Sequence, residues 1–171
     1  MPADRTRRRT SAQPPRAGAA RQPVAGPRLC GAAADCPQVA RKLMQAGIAP
    51  TAQRRALGAL LLCAPVHVTA EQVLRAAQAQ ALPVSRATVY NTLHLFTERG
   101  LLRELPITGV ETVYDSTTTP HHHFYDLASG EVSDIDCATL QVTGLDALAA
   151  DWDIDSVETV VRGRRKQPAA A

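Results

Sequence analysis

From residue 107 to residue 161 the chain has no lysine and no arginine, against eleven aspartates and glutamates. A surface of evenly mixed, solvated charge is excluded for that stretch. Aromatics are scarce as well, at 4% of the chain, so Leu, Val and Ala must fill whatever core its 45% of hydrophobic residues can build. No apolar run approaches the roughly 20 residues that a membrane span needs. The four cysteines, Cys30, Cys36, Cys63 and Cys137, include no close pair. That speaks against a disulfide framework and for a reducing, cytoplasmic setting. The basic N-terminus is not followed by an apolar h-region, so a secretory signal is not expected. No His-Glu-x-x-His pattern or nucleophile motif accompanies the histidines, which leaves a metal-dependent hydrolase as a weak alternative and no catalytic residue to name.

What is present is segregated. The net charge of +3 conceals seven arginines against Asp4 in residues 1–28, and eight Lys or Arg against three Glu in residues 36–106. A basic front beside an acidic rear indicates a nucleic-acid module joined to a module of another kind. Residues 1–28, rich in Arg, Pro, Ala and Gly, cannot offset chain entropy by burial and are expected to be a disordered basic arm. Residues 29–115 are expected to form one domain and residues 116–162 another, with 163–171 a basic, disordered tail.

In the front domain, Pro37 suits a helix start, with Gly47 as its stop. Thr51 signals a second helix, to about Leu62. Thr69 with Gln72 three residues on resembles a capping box and opens a third. Ser85 is an N-cap for a fourth, running to Arg99 and closed by Gly100. On that fourth helix Val89, Leu93 and Phe96 share an apolar stripe, while Arg86, Tyr90, His94 and Thr97 make a polar one. Residues 101–105 and 111–114 read as two strands around a turn at Thr108-Gly109. The result is a winged helix-turn-helix whose fourth helix enters the major groove. Arg86 can reach phosphates or a guanine edge, and Tyr90 a phosphate or a thymine methyl.

The rear domain opens with His121-His122-His123. Strands at 124–127 and 131–135 flank the hairpin signal Ser129-Gly130, a helix is expected from Thr139 to Ala150, and a third strand over 156–162. Such a small module has too little core for comfort, and a second copy would supply the missing burial, so a homodimer on pseudo-palindromic double-stranded DNA is expected. In an extended segment His121 and His123 share a face and His122 opposes them. Two imidazoles need further donors. His67, Asp115 and Asp134 are the candidates, giving a mixed nitrogen and oxygen set suited to iron(II) or manganese(II) that would clamp the two domains together. Cys63 reads as core and Cys137 as a loop thiol.

The stretches His67-Val68-Thr69-Ala70-Glu71, Ala87-Thr88-Val89-Tyr90-Asn91-Thr92-Leu93, Gly100-Leu101-Leu102 and His121-His122-His123 resemble the ferric uptake regulator superfamily, collinearly from about residue 37 to 162. Within it, residues 84–93 and His121-His122-His123-Phe124-Tyr125 resemble the haem-responsive iron response regulator branch. The resemblance implies an α+β fold, an N-terminal winged helix-turn-helix domain followed by a small α/β dimerisation domain. It implies a dimeric regulator of iron homeostasis, with peroxide sensing as the alternative within the superfamily. His67, Asp115, His121, His123 and Asp134 match its regulatory metal ligands. Arg86 and Tyr90 fall in its recognition helix, where Ser85, Thr88 and Asn91 join them as DNA-facing candidates. The family's Cys-x-x-Cys zinc site is replaced by Asp126 and Ser129, so no structural zinc of that type is expected. The branch further implies haem as signal, through Cys36 of Cys36-Pro37 together with His121, His122 and His123; Cys30 competes with Cys36.

Overall fold

The computed structural model describes residues 37–107, 109–164 and 166. The expected basic arm, Cys30, Cys36, Thr108 and most of the expected tail lie outside those residues. Among the described residues, no helix is long and apolar enough to cross a membrane.

Four helices build the front domain. α1 (Pro37–Gln45) buries Val39 and Leu43 and is followed by Gly47 at φ +70, a left-handed position that costs glycine nothing. α2 (Ala52–Leu61) begins at the N-cap Thr51, whose side chain accepts from the Arg54 amide. α1 crosses α2 closely at Gly58, where an added Cβ would lie 2.6 Å from Val39 Cγ1. α3 (Ala70–Ala79) starts with the complete capping box of Thr69 and Gln72. α4 (Arg86–Glu98) starts at Ser85 and buries Val89, Leu93 and Phe96. These join Leu57, Leu60, Leu61, Val68, Val73 and Leu102 in one apolar cluster. Burying a side chain such as Phe96 contributes about 1.5–3 kcal/mol.

The wing has three strands, not the two read from the sequence. β1 (His67–Thr69) and β2 (Arg103–Leu105) both pair antiparallel with a central β3 (Val113–Asp115). β1 is three residues long, too short for an alternation to show, and only its pairing partner reveals it. β3 is buried throughout. Tyr114 faces the helical core, while Val113 joins Leu105, Ile107 and Tyr125 in a second apolar cluster. That cluster is the seam between the front and rear domains.

The rear sheet has order β5-β4-β6: β4 (His122–Asp126) lies between β5 (Val132–Ile135), antiparallel, and β6 (Val160–Gly163), parallel. The helix expected over 139–150 is only α5 (Leu145–Ala149). Asp136 caps a tight turn instead, its carboxylate accepting from the Ala138 amide, and Gly144 at φ +85 breaks any helix before Leu145. The strand expected over 156–162 is confined to β6. Cys63, expected in the core, is exposed just beyond the C-cap Leu62 of α2.

Candidate metal centre

Two rows of side chains face each other across the domain seam. In the wing sheet, His67, Asp115 and Arg103 are cross-strand neighbours, because His67 and Arg103 both pair with Asp115. Such partners project to the same face. In the rear sheet, His123 pairs with Asp134, and His121 lies two residues before His123 on the same face. His67, His121, His123 and Asp134 each offer a donor atom, all within 4.8 Å of one another. Asp115, fully buried, stands beside this group: its carboxylate oxygens lie 3.6 Å from His67 Nε2, 3.4 Å from His121 Nε2 and 3.5 Å from His123 Nε2. Its shortest hydrogen bonds come from Arg103 Nε at 2.8 Å and from the Thr117 amide at 2.7 Å.

The donors converge on a shared centre rather than on one another. His67 Nε2 lies 2.8 Å from Asp134 Oδ1, yet this buried nitrogen makes no aligned hydrogen bond. His121 Nδ1 lies 2.8 Å from the Thr119 carbonyl, which can only accept, so Nδ1 carries the proton and Nε2 turns a lone pair inward. That lone pair sits 3.0 Å from Asp134 Oδ1. Two acceptors so close need a proton or a cation between them. A backbone carbonyl fixing the outer ring nitrogen is how metal-binding histidines are oriented. Three imidazoles with carboxylate oxygen and no thiolate fit iron(II) or manganese(II). Burial holds the His67 pKa below its ordinary 6.5, against the pull of Asp115 and Asp134, which favours the neutral, ligand-competent ring. Burial pushes the Asp115 carboxyl up, but hydrogen bonds from His123, Thr117 and Arg103 outweigh it, and its pKa lies below 3.8.

His122 behaves as alternation demands. It is buried on the opposite face of β4 and lines a separate cavity of about 390 Å³ with Cys137, Leu140, Val142, Leu145 and Val157. The Thr159 amide donates to His122 Nδ1 at 3.3 Å, leaving the proton of the neutral ring on Nε2. The thiol of Cys137 donates to the Pro120 carbonyl at 3.6 Å.

On α4, Tyr90 and Asn91 are exposed. Ser85 and Thr88 turn their hydroxyls to each other, 2.9 Å apart, and Ser85 also caps the Thr88 amide. Arg86 is held by Glu71 at 2.8 Å. Two residues beside the centre were not singled out from the sequence, Arg103 and Glu158. Arg103 is the last basic residue before the stretch that has none, which is the one signal it gives.

The sequence signature of the ferric uptake regulator family matches residues 45–160, well over half of the chain. Similar proteins include a peroxide-responsive repressor PerR of Staphylococcus aureus, 30% identical over 66% of this chain and 76% of its own. Ferric uptake regulation protein 1 of Mycolicibacterium fortuitum is 33% identical over 55% of this chain and 60% of its own. Among solved structures, the ferric uptake regulator of Vibrio cholerae has a TM-score of 0.60 at 21% identity, covering 74% of this chain and 98% of its own. That of Pseudomonas aeruginosa, determined with manganese, has a TM-score of 0.56 at 23% identity, covering 74% and 97%. At these identities the structural likeness is one of fold, and it agrees with a winged helix followed by a small α/β domain.

Proposed function

The chain belongs to the ferric uptake regulator family, and from that premise we propose that it is a homodimeric, DNA-binding regulator of iron homeostasis, answering to haem, to bound iron(II) or manganese(II), or to both. Family members are metal-responsive transcriptional regulators, not enzymes, and the hydrolase alternative falls away. The observation that carries the reading is the convergence of His67 from the wing with His121, His123 and Asp134 from the rear sheet. A divalent ion held there would supply charge that draws the two domains into one arrangement. Residues 29–115 act as the DNA-binding domain and 116–162 as the metal-responsive and dimerising one.

The exposed Tyr90 and Asn91 and the basic front half support the DNA role, with Arg86, Ser85 and Thr88 beside them. Leu127, Val142, Leu148, Trp152 and Ile154 are exposed on the rear domain, and a second copy would cover them. Gel shifts on iron-gene promoters with and without manganese test the reading. Arg86→Ala or Tyr90→Ala should cost about 1–3 kcal/mol of specific binding while leaving the dimer and the metal site intact. No specific shift under any metal condition sinks it.

Haem has its own support. The cavity beside His122 lies within the usual range for small-molecule sites, about 300–1,000 Å³, and Leu140, Val142, Leu145 and Val157 form its apolar part. Ligation through His122 Nε2 requires the ring to give up its bond from Thr159. His121 and His123 would have to leave the metal centre to serve as haem ligands, and Cys36 lies outside the described residues. A haem titration followed by absorption, with His122→Ala and Cys36→Ala compared separately, assigns the ligand, and unchanged spectra in both remove that part of the proposal. Peroxide sensing is the second reading, favoured by the likeness to a peroxide-responsive repressor. Under it, mass spectrometry of the iron-loaded chain after peroxide finds oxygen added at His67 or His121.

A further inference from the structure

The side chain that touches most of the centre is itself a cation. From β2, Arg103 sends Nε to Asp115 Oδ2 at 2.8 Å. Its Nη2 lies 3.1 Å from His121 Nε2 and 3.4 Å from His123 Nε2, and its Nη1 3.5 Å from Glu158 Oε2. Nη2 also approaches His121 Nδ1 at 2.9 Å, so it sits over the ring, close to both nitrogens. A guanidinium has five N–H donors, no acceptor, and stays charged at any physiological pH.

These facts set up a competition. A guanidinium packed against an imidazole keeps another cation from its ring nitrogens. On His121 the nitrogen at stake is Nε2, which would ligate a metal. On His123 the nitrogen nearest Nη2 is again Nε2, 3.4 Å away. The guanidinium and a metal ion cannot both stand at those nitrogens. Asp115 is shared in the same way, since the oxygen nearest His121 and His123 is the one that accepts from Arg103. We propose that Arg103 is a resident cation of this centre, competing with the divalent ion for His121, His123 and Asp115 and thereby setting the ion concentration at which the site fills. The inference rests on the metal reading above.

The competition has a direction. Arg103 lies against the inward nitrogens of both rings, and its positive charge opposes entry of another cation there. When it yields, Glu158 lies within reach of Nη1 to receive the guanidinium, and Asp115 becomes available as a ligand. Arg103 belongs to the wing, so filling the site also changes what anchors β2.

Manganese titration of the full chain by calorimetry tests this. Arg103→Met, which keeps the aliphatic stem and removes the charge, should bind manganese about tenfold tighter or more than the parent chain. Equal or weaker binding overturns the proposal. Should Arg103→Met fail to fold, Arg103→Gln carries the same comparison. A readout that needs no variant is the Arg103 Nε–H resonance. It should move to the position of a free guanidinium on saturation with zinc, used as a diamagnetic probe, and an unmoved resonance overturns the proposal as well. Absence of manganese binding in the parent and the variants alike would overturn the metal site itself, a different failure from equal affinities.

Discussion

The front domain closes its core within one chain, and the rear domain does not. Val39, Leu43, Leu60, Val73, Val89 and Phe96 are almost wholly buried among helices α1 to α4. The rear sheet contributes Tyr125 to the seam cluster, with Val132 and Val160 packed against it. Outside that sheet Leu127, Val142, Leu148, Trp152 and Ile154 of the rear domain are exposed, Trp152 at 71%. The difference teaches where each half finds its stability. The front has it from packing. The rear must take it from the seam, from the charged centre, and from a surface outside the single chain.

Removing Phe96 breaks the comparison most severely. Phe96→Ala should cost about 3–5 kcal/mol, read as a lower urea midpoint of the whole chain, because the surrounding helices cannot collapse into the space. Next, His121→Ala with His123→Ala should leave the metal-free chain folded but abolish stabilisation by manganese. At a free concentration a hundredfold above Kd, the parent gains about 2.7 kcal/mol that the double variant lacks.

A gentler perturbation is pH, applied in the presence of a chelator. The His67 pKa is lower in the folded chain than its ordinary 6.5, so the unfolded chain takes up that proton first as pH falls. Stability should drop as pH goes below about 6.5 and level off beneath the folded pKa. Asp115 acts in the same sense further down: its contribution holds above 3.8 and is lost as pH falls through its lower folded value. Urea midpoints at pH 7, 6 and 5 check the sign, and a midpoint that rises on acidification contradicts it. The smallest effect is expected from Trp152→Ala. It should change single-chain stability by no more than about 0.5 kcal/mol at concentrations where the chain is monomeric. Sedimentation at higher concentration should nevertheless show weaker association than the parent.

Much of the fold could be read directly. Thr51, Thr69 and Ser85 announce three helix starts because a side-chain oxygen caps an amide only two or three residues on. Gly47 and Gly100 mark stops because they adopt positive φ, at 70 and 69. The stripe of Val89, Leu93 and Phe96 needs nothing beyond helical periodicity. His67, His121, His123 and Asp134 were nameable as candidates, since their types suit a metal and alternation groups two of them.

The failures have a common cause. β1 is too short to carry a pattern, and it exists because β3 offers it a ladder. The helix expected over 139–150 gave way to the Asp136 turn and to Gly144, local competitors that periodicity does not weigh. Cys63 looked apolar enough for the core but lies just past the end of α2, where the chain has left it.

By itself the sequence determined the starts of three front helices, the opposed faces of His122 and of His121 with His123, and the segregation of charge. These depend on neighbours within a few residues, where backbone geometry leaves little choice. Only the tertiary structure decided that the wing row of His67, Asp115 and Arg103 meets the rear row of His123 and Asp134. Arg103 and His123 stand twenty positions apart, and Glu158 is further still. Which charge neutralises which is set by strand register and by the packing of two sheets across a seam, and no local pattern encodes that.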